Sequence, residues 1–385
     1  MSAILTGPVE VVIDDDTEIV PPGLLDRSMM SIARHPRGSI YLNTQSGPLF
    51  RSDDEGRSWT AVPIRPPEHP EPQMYHGMGV AGSGRLLVAH SRRDGDMLDL
   101  SVSFTDDGGD SWTTSPTPFG QFAPGVPHMR FHEDGSRSFV ELDDGTLMFT
   151  TTIVPNGGYG EEHPPTGDEL YGGRPGDLFS DIVFRSTDGG TTWGDPTPAF
   201  PFLNPHESNL AVDPAVSDRV LLMARCQRSI PADEDPADFA ARTGNPPGTR
   251  IKQGVLFESV DRGRTFSELG WTNYYGHRGH VCAASGNRVV VTHNADYRYT
   301  AVVARLSPDG GRSWQQEDGG FRRDLLHSRK FILVPDPPGH SFTTPTLELE
   351  PGHFLTTYGW YPSATRSLRV NGLHWHLEPT TADSA

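Results

Sequence analysis

The chain is expected to fold as an all-β, six-bladed β-propeller, and three observations carry that expectation. An eight-residue turn pattern recurs five times along 385 residues. Six pairs of short apolar strands repeat with a period of about 64 residues, the kind of spacing that marks a repeat architecture. Glycine (42) and proline (35) make up about one residue in five, against about 12% in average usage, so the chain turns often and long helices are poorly supported.

The turn pattern is an octad: Ser52-Asp-Asp-Glu-Gly-Arg-Ser-Trp59, Thr105-Asp-Asp-Gly-Gly-Asp-Ser-Trp112, Ser186-Thr-Asp-Gly-Gly-Thr-Thr-Trp193, Ser259-Val-Asp-Arg-Gly-Arg-Thr-Phe266 and Ser307-Pro-Asp-Gly-Gly-Arg-Ser-Trp314. Each reads hydroxyl, x, Asp, x, Gly, x, hydroxyl, aromatic. Each follows an alternating strand-like run such as Asp181-Ile-Val-Phe-Arg185 or Ala301-Val-Val-Ala-Arg-Leu306. Asp and Ser/Thr side chains can bond turn amides, glycine supplies a left-handed backbone, and the ring covers the turn. Inner strands are expected at 28–34, 76–81, 137–143, 207–213, 279–285 and 342–349. Second strands follow at 39–42, 85–89, 146–149, 219–224, 288–291 and 353–356. The last blade ends in Leu368-Arg-Val-Asn-Gly-Leu-His-Trp375 without an octad, and an N-terminal strand at about 9–13 is the natural piece to close it. Ring closure of this kind protects sheet edges, and it commits residues 1–385 to one domain. Two Gly/Pro-rich or acidic segments, about 155–180 and 228–253, are insertions between second and third strands. The second has an Asp235-Pro236 start suited to a short helix, and loops of such length suit lid-like roles.

Composition excludes several classes of function. Thirty-two basic and 50 acidic residues give a net charge of −18, the wrong sign for neutralising phosphates or an anionic membrane. No apolar run approaches the ~20 residues of a membrane span. The N-terminus has no basic, apolar leader pattern, so a cytoplasmic location is the default expectation; an already processed secreted chain would look the same. Cys226 and Cys282 sit in apolar runs and read as small core residues.

Propeller geometry gathers inner-strand starts and second-strand ends on one face around the axis. Those positions supply Arg27, His76, His206, Glu207 and His280, together with His90, Arg225, His293, Tyr297, Arg298 and Tyr358. The set is rich in Arg, His and Tyr and poor in acids: a cationic mouth on an acidic body, suited to a small carboxylate-bearing sugar. His76, His206 and His280 come from separate blades without a metal-ligand spacing, so neither a metal nor a cofactor is expected.

The octads match the Asp-box (BNR) repeat, and the chain resembles the sialidase (neuraminidase) superfamily of six-bladed propellers. The resemblance assigns the octads to hairpin stability on the rim, which removes the aspartates at 54, 107, 188, 261 and 309 from the catalytic candidates. His206-Glu-Ser-Asn-Leu followed by Leu-Leu-Met-Ala-Arg225 is similar to the blade-four segment of sialidases. There a glutamate supports the nucleophile and an arginine ends the second strand, which implies those roles for Glu207 and Arg225. His293-Asn-Ala-Asp-Tyr-Arg298 stands where the last carboxylate-binding arginine would be, and Arg27 where the first would be. The departures are specific. Arg27-Ser-Met replaces Arg-Ile-Pro, the Asn43–Pro48 stretch lacks the first-blade acid, and Phe342 stands where the last inner strand would open with tyrosine. Tyr358, Tyr297, Asp94 or Asp96 could substitute.

The leading expectation is therefore an exo-acting, sialidase-like glycoside hydrolase on an anionic glycan or small sugar. Arg27, Arg225 and Arg298 would hold the carboxylate, assisted by His90, His280, His293 and Tyr297. Glu207 would polarise or position the reacting group, and His76, His206 and Tyr358 are acid/base candidates. Two alternatives stand beside it: a lyase acting on uronate-containing glycans through His and Tyr, and a non-catalytic propeller that binds glycan or protein.

Overall fold

The structure, a computed structural model, describes residues 7–20, 30–44, 48–63, 74–94, 97–116, 129–131, 138–155, 180–199, 205–214, 216, 218–228, 235–243, 251–272, 279–295, 301–335, 339–341, 343–362 and 368–380. Among the described residues it is all-β except for one short helix; six four- or five-stranded antiparallel sheets are the six blades, and a two-stranded ribbon, Trp314–Gln315 with Phe321–Arg322, starts at the last residue of the fifth octad.

The first blade comprises Met30–Arg34, Ile40–Thr44, Leu49–Ser52 and Thr60–Val62. The second comprises Met74–Val80, Leu86–Asp94, Met97–Thr105 and Thr113–Thr114. In the third, an inner strand in two pieces (Met129–Phe131 and Phe139–Glu141) precedes Leu147–Pro155, Ser180–Ser186 and Gly194–Pro198. The fourth is Pro205–Val212, Val220–Arg228, Ile251–Ser259 and Ser267–Trp271; the fifth is His280–Ala284, Arg288–Asn294, Ala301–Ser307 and Phe331–Pro335. In the sixth, Gly339–Ser341 and Thr346–Glu350 lie innermost, then His353–Pro362 and Arg369–Pro379, with Val9–Val20 outermost. That strand from the start of the chain pairs antiparallel with Arg369–Pro379 from Val9↔Pro379 to Val20↔Val370.

Strand alternation puts apolar side chains on both faces of every blade, so the core lies between blades. There are six buried clusters, each spanning two neighbours. Leu87, Val102 and Phe104 of the second blade meet Phe149, Phe184 and Trp193 of the third, and Ile32 and Leu42 of the first meet Leu355 and Val370 of the sixth. Cys226 and Cys282 are both buried, and burial pushes the Cys282 thiol up to about 12.

All five octads build the same turn. In the first, the Ser52 hydroxyl donates to Asp54 Oδ1 (2.8 Å) and accepts from the Gly56 N–H (2.8 Å). Asp54 then takes the Ser58 N–H (2.8 Å) and hydroxyl (2.6 Å). The same four bonds recur around Asp107, Asp188, Asp261 and Asp309. The fourth and fifth positions of each octad are left-handed, including Glu55 (φ 61°) and Arg262 (φ 62°). That explains Gly-Gly in the other three, since only glycine adopts such angles without a steric penalty.

The insertion after Val220–Arg228 contains the helix Pro236–Thr243. It starts at the proline and is capped by Asp235, whose Oδ1 accepts from the N–H groups of Ala237 (2.8 Å) and Asp238 (3.0 Å). Residues 156–179 of the other insertion lie outside the described residues. Among the described residues no helix is long and apolar enough to cross a membrane.

Candidate functional site

The fourth blade places a buried acid–guanidinium pair on a backbone bulge. Along Pro205–Val212 the ladder runs His206↔Arg225 and then skips to Asn209↔Met223. Glu207 and Ser208 form the bulge, and Glu207 takes φ 56°. A bulge re-aims side chains beside it. Here it brings the Glu207 carboxylate to 2.9 Å from Arg225 Nη2, with the side chains 0% and 7% exposed. A non-glycine residue in the left-handed region and a buried ion pair are both unfavourable features, and they coincide at one residue.

The adjoining face of the third blade supplies hydroxyls and a second acid. Thr152 Oγ1 lies 3.3 Å from the Glu207 backbone N–H, which donates to it, and itself donates to Asp181 Oδ1. The Ser208 hydroxyl donates to Thr150 Oγ1 at 2.8 Å. Asp181, Thr152, Glu207 and Arg225 thus form one connected network at the junction of two blades. All four are buried.

Asp181 is the residue that sequence reasoning missed. It is the second residue of the third strand, Ser180–Ser186, paired with Thr152, and so lies outside the inner-strand starts and second-strand ends that the sequence points to. The signal available was an acid, Asp181, directly before an apolar run, Ile-Val-Phe.

The remaining expected site residues separate into three groups. Arg27, Tyr297, Arg298 and the His206 side chain lie outside the described residues, as do Asp96 and the Asp94 side chain. His76 occupies a bulge between Tyr75↔His90 and Gly77↔Ala89 and is buried. His280 is half-buried, its Nδ1 accepting the Thr346 N–H at 3.3 Å.

The third group bonds to strands farther out in the same blade. His90 Nε2 lies 2.8 Å from Ser103 Oγ on the third strand of its blade, and that hydroxyl continues to Thr114 Oγ1 at 2.8 Å. His293 is fully buried: its Nδ1 lies 2.6 Å from the Asn294 carbonyl, and its Nε2 accepts from Arg305 Nε at 2.9 Å. Burial, reinforced by the Arg305 charge, holds this imidazole well below its ordinary value, hence neutral. The Tyr358 hydroxyl donates to Asp16 Oδ2 (2.8 Å) on the outermost strand, and burial together with that carboxylate raises its pKa. These bonds tie all three to strands farther out in their blades. A position at a strand end does not by itself fix which partner a long side chain reaches. Arg225, at the equivalent level of the fourth blade, turns inward to Glu207.

This all-β ring of six blades belongs architecturally with the sialidase and arabinofuranosidase propellers. A protein of unknown function from Dyadobacter fermentans superposes with TM-score 0.63 and 16% identity, over 96% of this chain and 99% of that one. An α-L-arabinofuranosidase from Fusarium graminearum, solved with an iminosugar inhibitor, gives 0.58 and 11% over 94% and 97%. The Hadza microbial sialidase Hz136 gives 0.58 and 13%, over 89% of this chain and 64% of that one. At such identities the likeness is one of fold. No protein-family profile matches the chain, and no curated protein matches its sequence.

Proposed function

We propose that the protein is a glycan-active propeller, an exo-acting glycoside hydrolase that takes a carboxylate-bearing terminal sugar at a site centred on Glu207 and Arg225. The observation that carries this reading is the left-handed Glu207, its carboxylate 2.9 Å from the buried Arg225 guanidinium. Strained backbone and buried charge persist where function requires a fixed geometry. Arg225 presents a planar fork of donors, so one edge can stay on Glu207 while another engages a sugar carboxylate or hydroxyl. Glu207, being fully buried, acts by holding that fork and biasing the local charge. Asp181, as buried as Glu207 and linked through Thr152 to the Glu207 backbone, is the second carboxyl of the network, and in this reading it serves as the proton donor once substrate opens the site. It offers a candidate for the acid that the first blade lacks. Arg27 and Arg298 complete the carboxylate clamp in this reading.

The experiment is release of a fluorescent aglycone from a panel of α-sialoside, β-glucuronide and α-L-arabinofuranoside substrates by wild type, Glu207→Gln, Asp181→Asn and Arg225→Lys. Turnover of an anionic glycoside, reduced at least ~100-fold in kcat/KM by each variant, is the expected result. Turnover of the arabinofuranoside alone would refute the anionic substrate. Unsaturated product from uronate oligosaccharides would replace hydrolysis by β-elimination. Glycan binding without turnover on any substrate would make the protein a binding propeller.

A further inference from the structure

Far from the Glu207 network, on the sixth blade, three potential metal ligands from three adjacent strands come together. His353 and His376 are directly paired across neighbouring strands, with ring centroids 5.1 Å apart and planes within 17° of parallel. Asp14 is the extra residue of a bulge in the outermost strand, between Ile13↔Trp375 and Asp15↔His374. Its carboxylate oxygens lie 2.9 and 3.0 Å from His376 Nδ1. One donor atom from each of Asp14, His353 and His376 falls within 4.8 Å of the other two.

We propose that Asp14, His353 and His376 form a binding site for a divalent transition-metal ion, with zinc the best fit. Two imidazoles and one carboxylate are a ligand set that favours zinc over magnesium or calcium, which take oxygen ligands. Around a tetrahedral zinc with bonds of about 2.1 Å, ligand atoms stand about 3.4 Å apart. The Asp14–His376 separation already falls near that value. Asp14 (41% exposed) and the exposed His353 have room to swing the remaining distance.

A second feature supports the site independently of the cluster. His376 Nε2 lies 3.3 Å from Glu378 Oε1, two residues along the same strand face. With Nδ1 turned to the metal, Nε2–H would donate to Glu378. That is the carboxylate–histidine–metal arrangement in which the outer carboxylate fixes the tautomer and orients the ring. Three protein ligands leave the fourth position to water. The ion would also tie Val9–Val20 to its neighbour Arg369–Pro379 and to the next strand in, His353–Pro362.

The test uses the full chain, stripped with a chelator and titrated with zinc, magnesium or calcium chloride by calorimetry and thermal melting. Expected is one equivalent of zinc with a rise in Tm, and no rise with magnesium or calcium. His353→Asn and Asp14→Asn should each weaken zinc at least ~10-fold, and Glu378→Gln should weaken it roughly 10-fold through ring orientation. These positions are exposed, and unchanged apo melting would show that the variants fold. Absence of stoichiometric zinc binding by wild type would overturn the proposal. So would equal affinity in wild type and His353→Asn, because the zinc would then be held by other histidines.

Discussion

At the scale of single residues, Glu207 and Arg225 separate stability from function. A carboxylate and a guanidinium removed from water are costly to desolvate, and losing one partner strands the other. Glu207→Ala should therefore destabilise the fold by about 3–5 kcal/mol, measured by denaturant unfolding, whereas Glu207→Leu with Arg225→Met should recover most of that loss because neither charge remains. Glycoside turnover should be absent in both. A double variant as unstable as the single one would show that the pair holds the blade together rather than serving a ligand. Glu207 and Arg225 were each singled out in the sequence, near the start of an inner strand and toward the end of the next, but their ion pair was not, since it depends on the bulge between His206 and Asn209. Asp181 was not legible, since its relation to Thr152 depends on pairing register and on the contact between two blades. The bonds of His90 to Ser103, His293 to Arg305 and Tyr358 to Asp16 were not legible either, because strand alternation does not say which way a long side chain leans for its hydrogen bond.

At the scale of the element, the octads explain how one turn is used five times and then bolted to its neighbour. An octad carbonyl accepts from a side chain of the preceding blade in four cases. His374 Nε2 reaches Glu55 O at 2.8 Å and Arg85 reaches Gly189 O at 2.8 Å, while Arg185 and Arg219 reach Gly263 O and Gly310 O. The turn itself was readable from composition, as each position has a local bonding reason. The bolts were not, because their partners lie about 80 to 320 residues away in sequence. The turns also predict a pH response. The Ser58 hydroxyl, followed by the Ser58 N–H, holds the Asp54 carboxyl down to about 2, and Asp261 is also lowered to about 2, its hydrogen bonds from Ser259 and Thr265 outweighing the opposing effect of burial. A carboxylate whose folded value lies below its unfolded one contributes stability above the unfolded value, about 3.9, and loses it as pH falls through the folded value. Urea midpoints should therefore be flat above about pH 5 and fall as pH drops from about 4 toward 2. Asp54→Asn should lower Tm at neutral pH by ~1–3 °C and make the acid-side fall shallower. An unchanged acid profile in that variant would assign acid sensitivity to other carboxylates.

At the scale of the whole molecule, a ring built from one chain has one seam, and its outermost strand there has no hairpin turn to hold it. Val9–Val20 meets that need in two directions. It pairs along Arg369–Pro379 within the sixth blade, and it is clamped to the fifth. Gln315 accepts the Val9 N–H at 3.1 Å and donates to the Val9 carbonyl at 2.9 Å. Arg329 takes both oxygens of Glu10, at 2.7 and 2.6 Å. An N-terminal closing strand was expected from the sequence over about five residues; the structure extends it through an acidic stretch with no apolar alternation, carried by its partner's register. The clamp had no local signal, since Gln315 follows an octad tryptophan as an ordinary polar residue and meets Val9 306 positions away. Gln315 is 1% exposed, so Gln315→Ala leaves the Val9 N–H and carbonyl without their partner in a buried place, a loss of about 1–3 kcal/mol for each group left unsatisfied. Because the clamp acts only at the seam, the loss should be local before it is global. Amide exchange in Val9–Val12 and in the facing residues 376–378 should accelerate at least ~10-fold under native conditions, with the second and third blades unchanged. Exchange that rises equally in every blade would mean that the ring opens as one cooperative unit. Exchange that does not change at Val9–Val12 would mean that pairing with the sixth blade alone closes it.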